Sequence, residues 1–141
     1  MRHRFKQFNR RGASATELAI LLPLLITLCL VSVDLGRFAF VSIALGNATR
    51  VGAEWGATHR YDTATAGTWN ANLEAAILAE FTAEADIDPA QLETTVTTAE
   101  DDYDLLRVTV TATYPWNTII TWPMIPRPLM LEQRAVMRRF R

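Results

Sequence analysis

Apolar positions divide this 141-residue chain into stretches of different period. From Leu18 to Val33, sixteen residues carry no charge, whereas a hydrocarbon core of ~30 Å takes about twenty helical residues. Counting in the small residues Ala13 to Thr16 gives twenty-one, with Glu17 inside the span. Alternatively the helix continues past Asp34 and Arg37 snorkels outward. One membrane crossing follows in either case. Beyond it, Phe38, Val41, Leu45, Ala48, Gly52 and Trp55 recur at alternating steps of three and four, which marks an apolar stripe on one helix face. The two patterns join into one predicted helix from about residue 14 to 57, lipophilic first and amphipathic afterwards. Pro23 lies in its membrane half, where it removes a donor and frees the carbonyl of Ala19, so a kink is expected there.

The stripe has two readings. Gly36, Gly46, Gly52 and Gly56 each weaken a helix by about 1 kcal/mol relative to alanine, but they permit close approach of a packed neighbour. That neighbour is either the chain's own globular part or another subunit.

The remaining pattern is mixed. Residues 56–69, GATHRYDTATAGTW, read as a loop. Helical period returns from Asn70 to Ala85, with Leu73, Ala76, Ile77 and Phe81 on one face, and Asp86-Ile87-Asp88-Pro89 ends it. Alternation in Thr94 to Thr98 and Leu106 to Tyr114 predicts an antiparallel hairpin around the acidic turn Glu100 to Asp104. Val108, Val110, Ala112 and Tyr114 share one face; Arg107, Thr109, Thr111 and Thr113 share the other, and Pro115 is expected to stop the strand. Residues 116–131, WNTIITWPMIPRPLML, are too proline-rich for a second membrane helix. They read as an irregular apolar cover or as a lipid-surface loop, leading to a last strand over Leu131 to Phe140. The predicted fold is α+β: a long N-terminal, partly transmembrane helix, then a small domain with one further helix packed on a short antiparallel sheet.

Charge orients this arrangement. Residues 1–11 hold Arg2, Arg4, Lys6, Arg10 and Arg11 and no acid, which places the N-terminus in the cytoplasm. The expected organisation is a basic cytoplasmic leader (1–12), a transmembrane helix (13–34), an amphipathic continuation (35–57) and an extracytoplasmic α+β domain (58–141). A cleavable secretory signal fits poorly, because Asp34 and Arg37 stand where a small-x-small site should follow the apolar core. Residues 62–104 carry eleven acids and neither Lys nor Arg, which disfavours nucleic acid as a partner. The C-terminal arginines suit either anionic headgroups or solvated edge charges that discourage strand aggregation.

Candidate chemistry is sparse. Cys29 is the single cysteine, and His3 and His59 have no neighbours at ligand spacing, so no intramolecular disulfide or thiolate cluster forms and no cofactor or metal is expected. The acidic turn lacks the glycine and distal glutamate of a calcium loop. No nucleophile with a base or paired acid and base occurs at useful spacing, so an enzyme is not expected.

The segment RRGASATELAILLPLLI, followed by DLGRFAF, ALGNATRVGAEWGA and a C-terminal EQRAVMRR, resembles the TadE-like family, pseudopilins of the tight-adherence (Flp) pilus machinery. Its start is similar to a type IV pilin-like processing signal. The resemblance implies cleavage by a prepilin peptidase between Gly12 and Ala13, with Glu17 at the fifth mature position. Flp-type signals usually place an aromatic after the glutamate, where Leu18 stands here. The implied partners are the peptidase, pilin and pseudopilin subunits, the inner-membrane assembly platform and membrane lipid. In such assemblies the glutamate of one subunit is thought to pair with a neighbour's new α-ammonium, setting register; alternatively Glu17 snorkels to the cytoplasmic headgroups, where the helix dipole favours an acid. Pro23 either lets the helix bend as a subunit leaves the membrane or is a tolerated kink. The expected function is a non-catalytic minor pseudopilin that helps initiate, assemble or anchor a pilus. The alternatives are an uncleaved single-pass protein whose outer domain binds an envelope partner, and a secretion-system pseudopilin.

Overall fold

The protein is described by a computed structural model over residues 10–84, 88–100 and 105–139. Helix α1 runs from Arg10 to Thr58 and contains Pro23 without interruption. A short 3-10 turn, Thr63–Thr65, leads into helix α2, Ala66–Glu84. A second 3-10 turn, Pro89–Gln91, precedes strands β1 (Glu93–Glu100), β2 (Leu106–Trp116) and β3 (Leu129–Arg138). The strands form a three-stranded antiparallel sheet in the order β1-β2-β3. The α+β architecture expected from the sequence is present. The chain divides into two units between Leu35 and Gly36, so the second half of α1 belongs to the same unit as α2 and the sheet.

Within that unit, the core lies between the two helices and one face of the sheet. Leu45, Ala48 and Ala53 of α1, Trp69, Leu73, Ile77 and Phe81 of α2, and Val108, Val110 and Ala112 of β2 are all buried. On α2 the buried positions recur every four residues, which keeps them on one side of a helix. Register explains the sheet face: Val96 and Ala135 flank Val110, and Leu131 pairs with Tyr114, so alternate residues of all three strands point to the same side. Buried Thr49 is satisfied inside α1, its Oγ1 donating to the carbonyls of Leu45 at 2.7 Å and Gly46 at 3.0 Å.

The stripe on α1 packs against the chain's own domain. An added Cβ at Gly52 would lie 2.7 Å from Ile77 Cδ1 and closer still to Ile77 Cγ1; one at Gly56 would meet Leu73 and Val108 at 2.9 Å. Local propensity favours alanine over glycine inside a helix by about 1 kcal/mol, but overpacking a filled core costs about 1–3 kcal/mol. Ile77 is β-branched and buried, so it yields little. Gly52→Ala is therefore expected to lower stability, read as a reduced denaturation midpoint of the full-length protein in detergent; a raised midpoint would mean that Ile77 gives way freely.

Several boundaries differ from the sequence reading. Part of the expected loop at 56–69 is helical, because α1 extends through Thr58 and α2 begins at Ala66 rather than Asn70. Asp62 caps the intervening turn, its carboxylate accepting from Ala64 N at 3.0 Å. Trp69 draws the start of α2 inward: it lies edge-on to Tyr61 at 5.1 Å, and its Nε1 donates to the His59 carbonyl at 3.3 Å. Pro115 does not end β2, which continues to Trp116. Pairing with β1 stops at Glu93 and Thr113, so Pro115 sits where only β3 flanks the strand and a missing donor is tolerated. The same extension starts β3 at Leu129 instead of Leu131, opposite Trp116, and it ends at Arg138. Turn residues 101–104, like 85–87, lie outside the described residues.

Candidate functional site

The residues singled out by the sequence lie on the first turns of α1. Gly12 and Ala13 fall within the helix backbone, and the side chain of Ala13 is outside the described set. Glu17 is exposed. It stands four residues after Ala13, one helical turn further on and about 6 Å along the axis. Spacing of four also puts the two positions on one helix face.

After Glu17 the helix surface is almost entirely apolar and uncovered. Leu18, Ile20, Leu21, Leu22, Leu24, Leu25, Ile26 and Leu28 are all exposed, Ile20 by 77%. In water such a surface would be strongly unfavourable, at about 25 cal/mol per Å². The helix is long and apolar enough to cross a membrane. Hydroxyls within it return their protons to the helix: Thr27 Oγ1 donates to the Pro23 carbonyl and Ser32 Oγ to the Leu28 carbonyl, each at 2.8 Å. Internal satisfaction of polar groups is what a lipid environment demands. Cys29 lies exposed in the same stretch. At its end, Asp34 is buried, and both it and Arg37 are engaged in interactions.

Residues 12–54 match the TadE family model, described as TadE-like protein. The N-terminal segment is TadE-like. Its match begins at Gly12, takes in Glu17 and the whole apolar run, and ends within the amphipathic half of α1. The TadE-like segment thus carries every position that the sequence reading assigned to processing, register and kinking. No curated protein and no solved structure gives a match to the chain. The family points to a membrane protein associated with the Tad pilus.

Among the described residues, no group of three His, Cys, Asp or Glu side chains is placed to hold a metal ion. His59 is exposed at the end of α1, stacked on Trp55 at 4.0 Å. Asp88 caps the second 3-10 turn; the Gln91 side-chain amide, then the Ala90 amide, hold its carboxyl below the usual aspartate range. Burial is the main cause that raises the Tyr114 phenol.

The sequence reading left residues 116–131 as an irregular apolar cover or a lipid-surface loop and did not foresee the hydrogen bonds of Arg127. Arg127 folds this loop on itself, its guanidinium donating to the Thr118 carbonyl and, at 2.5 Å, to Thr121 Oγ1. Ile119, Met124 and Ile125 are exposed, so they do not serve as an apolar cover. The signal available was the lone Arg127 among prolines and apolar residues, which gives no indication of where its donors go.

Proposed function

We propose that this protein is a non-catalytic minor pseudopilin that helps initiate, assemble or anchor a Tad/Flp-type pilus. Its N-terminus would be cytoplasmic, its helix would cross the inner membrane once, and the α+β domain would lie outside. The observation that carries the reading is the TadE-like match over 12–54, laid on a helix whose apolar surface is exposed and whose one early carboxylate is Glu17. A filament or pilus base built from such helices packs the exposed apolar faces of neighbouring subunits together.

In this reading a prepilin peptidase hydrolyses the Gly12–Ala13 peptide bond and creates an α-ammonium on Ala13. Glu17 of a neighbouring subunit then pairs with that ammonium, so that subunits register axially. The partners are the peptidase, pilin and pseudopilin subunits and the inner-membrane assembly platform. N-terminal sequencing of the mature membrane protein from its native host is expected to begin at Ala13. Recovery of an intact Met1 from peptidase-positive cells would replace this reading with that of a permanently anchored envelope protein.

A further inference from the structure

The loop between β2 and β3 has features that pilus assembly through α1 does not use. It begins at Trp116, whose ring meets Phe38 of α1 edge-on at 5.5 Å. Phe38 follows Asp34, the end of the apolar run, by four residues, about 6 Å along the helix. The root of the loop therefore touches α1 four residues after Asp34 in the sequence.

Its chemistry is that of a lipid-facing element. Pro123, Pro126 and Pro128 carry no amide proton, which removes three donors that lipid would leave unsatisfied. Other polar groups are hydrogen-bonded within the loop: Ile125 N donates to the Trp122 carbonyl at 3.3 Å, closing a turn with Pro123 in its second position. Thr118 Oγ1 donates to the Ile120 carbonyl at 2.5 Å, and Arg127 bridges Thr118 and Thr121. Met124, at the tip of the turn, is 93% exposed, its neighbour Ile125 and, five residues earlier, Ile119 are exposed as well, and Thr121 and Arg127 are the exposed polar side chains among them. No acid occurs from residue 105 to 131, so nothing there repels anionic headgroups, while Arg127 attracts them.

We infer that residues 119–128 form a second membrane contact, inserting Met124 and Ile125 into the headgroup boundary of the bilayer that α1 spans. This rests on α1 crossing the membrane. Lipid is favoured over a protein partner because Phe38, which Trp116 touches, is separated from Asp34 at the end of the apolar run by only three residues of chain, and because the loop carries Arg127 and no acid. Two contacts, one spanning and one interfacial, would fix how the domain is presented to neighbouring subunits.

The test uses full-length protein in vesicles of phosphatidylethanolamine and phosphatidylglycerol, with the environment-sensitive fluorophore NBD on single cysteines. Native Cys29 reports the span. Cys29→Ser with Met124→Cys reports the loop, and Cys29→Ser with Thr97→Cys reports an exposed site on β1. The expected result is quenching of Cys29 by deep doxyl lipids, blue-shifted emission and quenching at position 124 by shallow doxyl lipids, and neither change at position 97. Water-like emission at 124 beside a quenched Cys29 overturns the inference and leaves the membrane span intact. A blue shift at 124 that grows with protein density but resists lipid quenching overturns it in favour of a second copy of the chain. Quenching at 97 as well would mean unspecific adsorption, also against it. An unquenched Cys29 removes the span and the inference with it.

Discussion

Glu17→Gln is expected to abolish piliation or reduce it severely while leaving the protein in the membrane. The glutamine side chain is nearly isosteric and the apolar run after it is untouched, so insertion should not suffer. An ionised carboxylate toward the bilayer centre costs roughly 2.5 kcal/mol or more, a penalty that a neighbour's α-ammonium on Ala13 would offset. Removing one partner of a poorly solvated ion pair leaves the other stranded at about 3–5 kcal/mol. With each 1.4 kcal/mol worth about a factor of ten, a correctly registered subunit pair would become rarer by about a hundredfold or more. Electron microscopy of surface pili beside immunoblots of the membrane fraction separates assembly from insertion. Wild-type piliation in this variant would leave Glu17 as a headgroup-facing residue with no part in register.

Phe81→Ala is expected to destabilise the α+β unit by about 3–5 kcal/mol. Phe81 is fully buried on α2, with its ring 5.3 Å from that of Tyr114 on β2, so truncation both opens a cavity and removes an aromatic contact between helix and sheet. Domains of this size have about 5–15 kcal/mol in total, so the variant should be largely depleted from cells and cleaved readily by protease. Leu78→Ala, on the exposed side of the same helix, provides the comparison and should change little. Equal proteolysis of the two variants would mean that α2 is not held on the sheet through Phe81.

Much of the architecture is legible because it rests on periodicity. The alternation of Val108, Val110, Ala112 and Tyr114 specified the buried face of β2, and the spacing of Leu73, Ile77 and Phe81 specified that of α2. The misread segments share a physical cause. Trp69 looks like the last residue of a loop until Tyr61 and the His59 carbonyl are found against it. Pro115 looks like a strand breaker until β1 is seen to end two residues short of it. Both depend on partners that local pattern does not encode.

The sequence by itself determined that residues 18–33 form an uncharged stretch of helix after one early carboxylate, that the next turns of that helix carry an apolar stripe, and that valine- and threonine-rich strands follow. These are properties of spacing along the chain, where side chains three or four apart on a helix, or two apart on a strand, share a face whatever surrounds them. Only the tertiary structure decided that Gly52 and Gly56 admit Ile77, Leu73 and Val108 of the same chain, and that Trp116 roots its apolar loop on Phe38. Those outcomes depend on the distance between residues far apart in sequence, which is set only when the helices and the sheet close on one another.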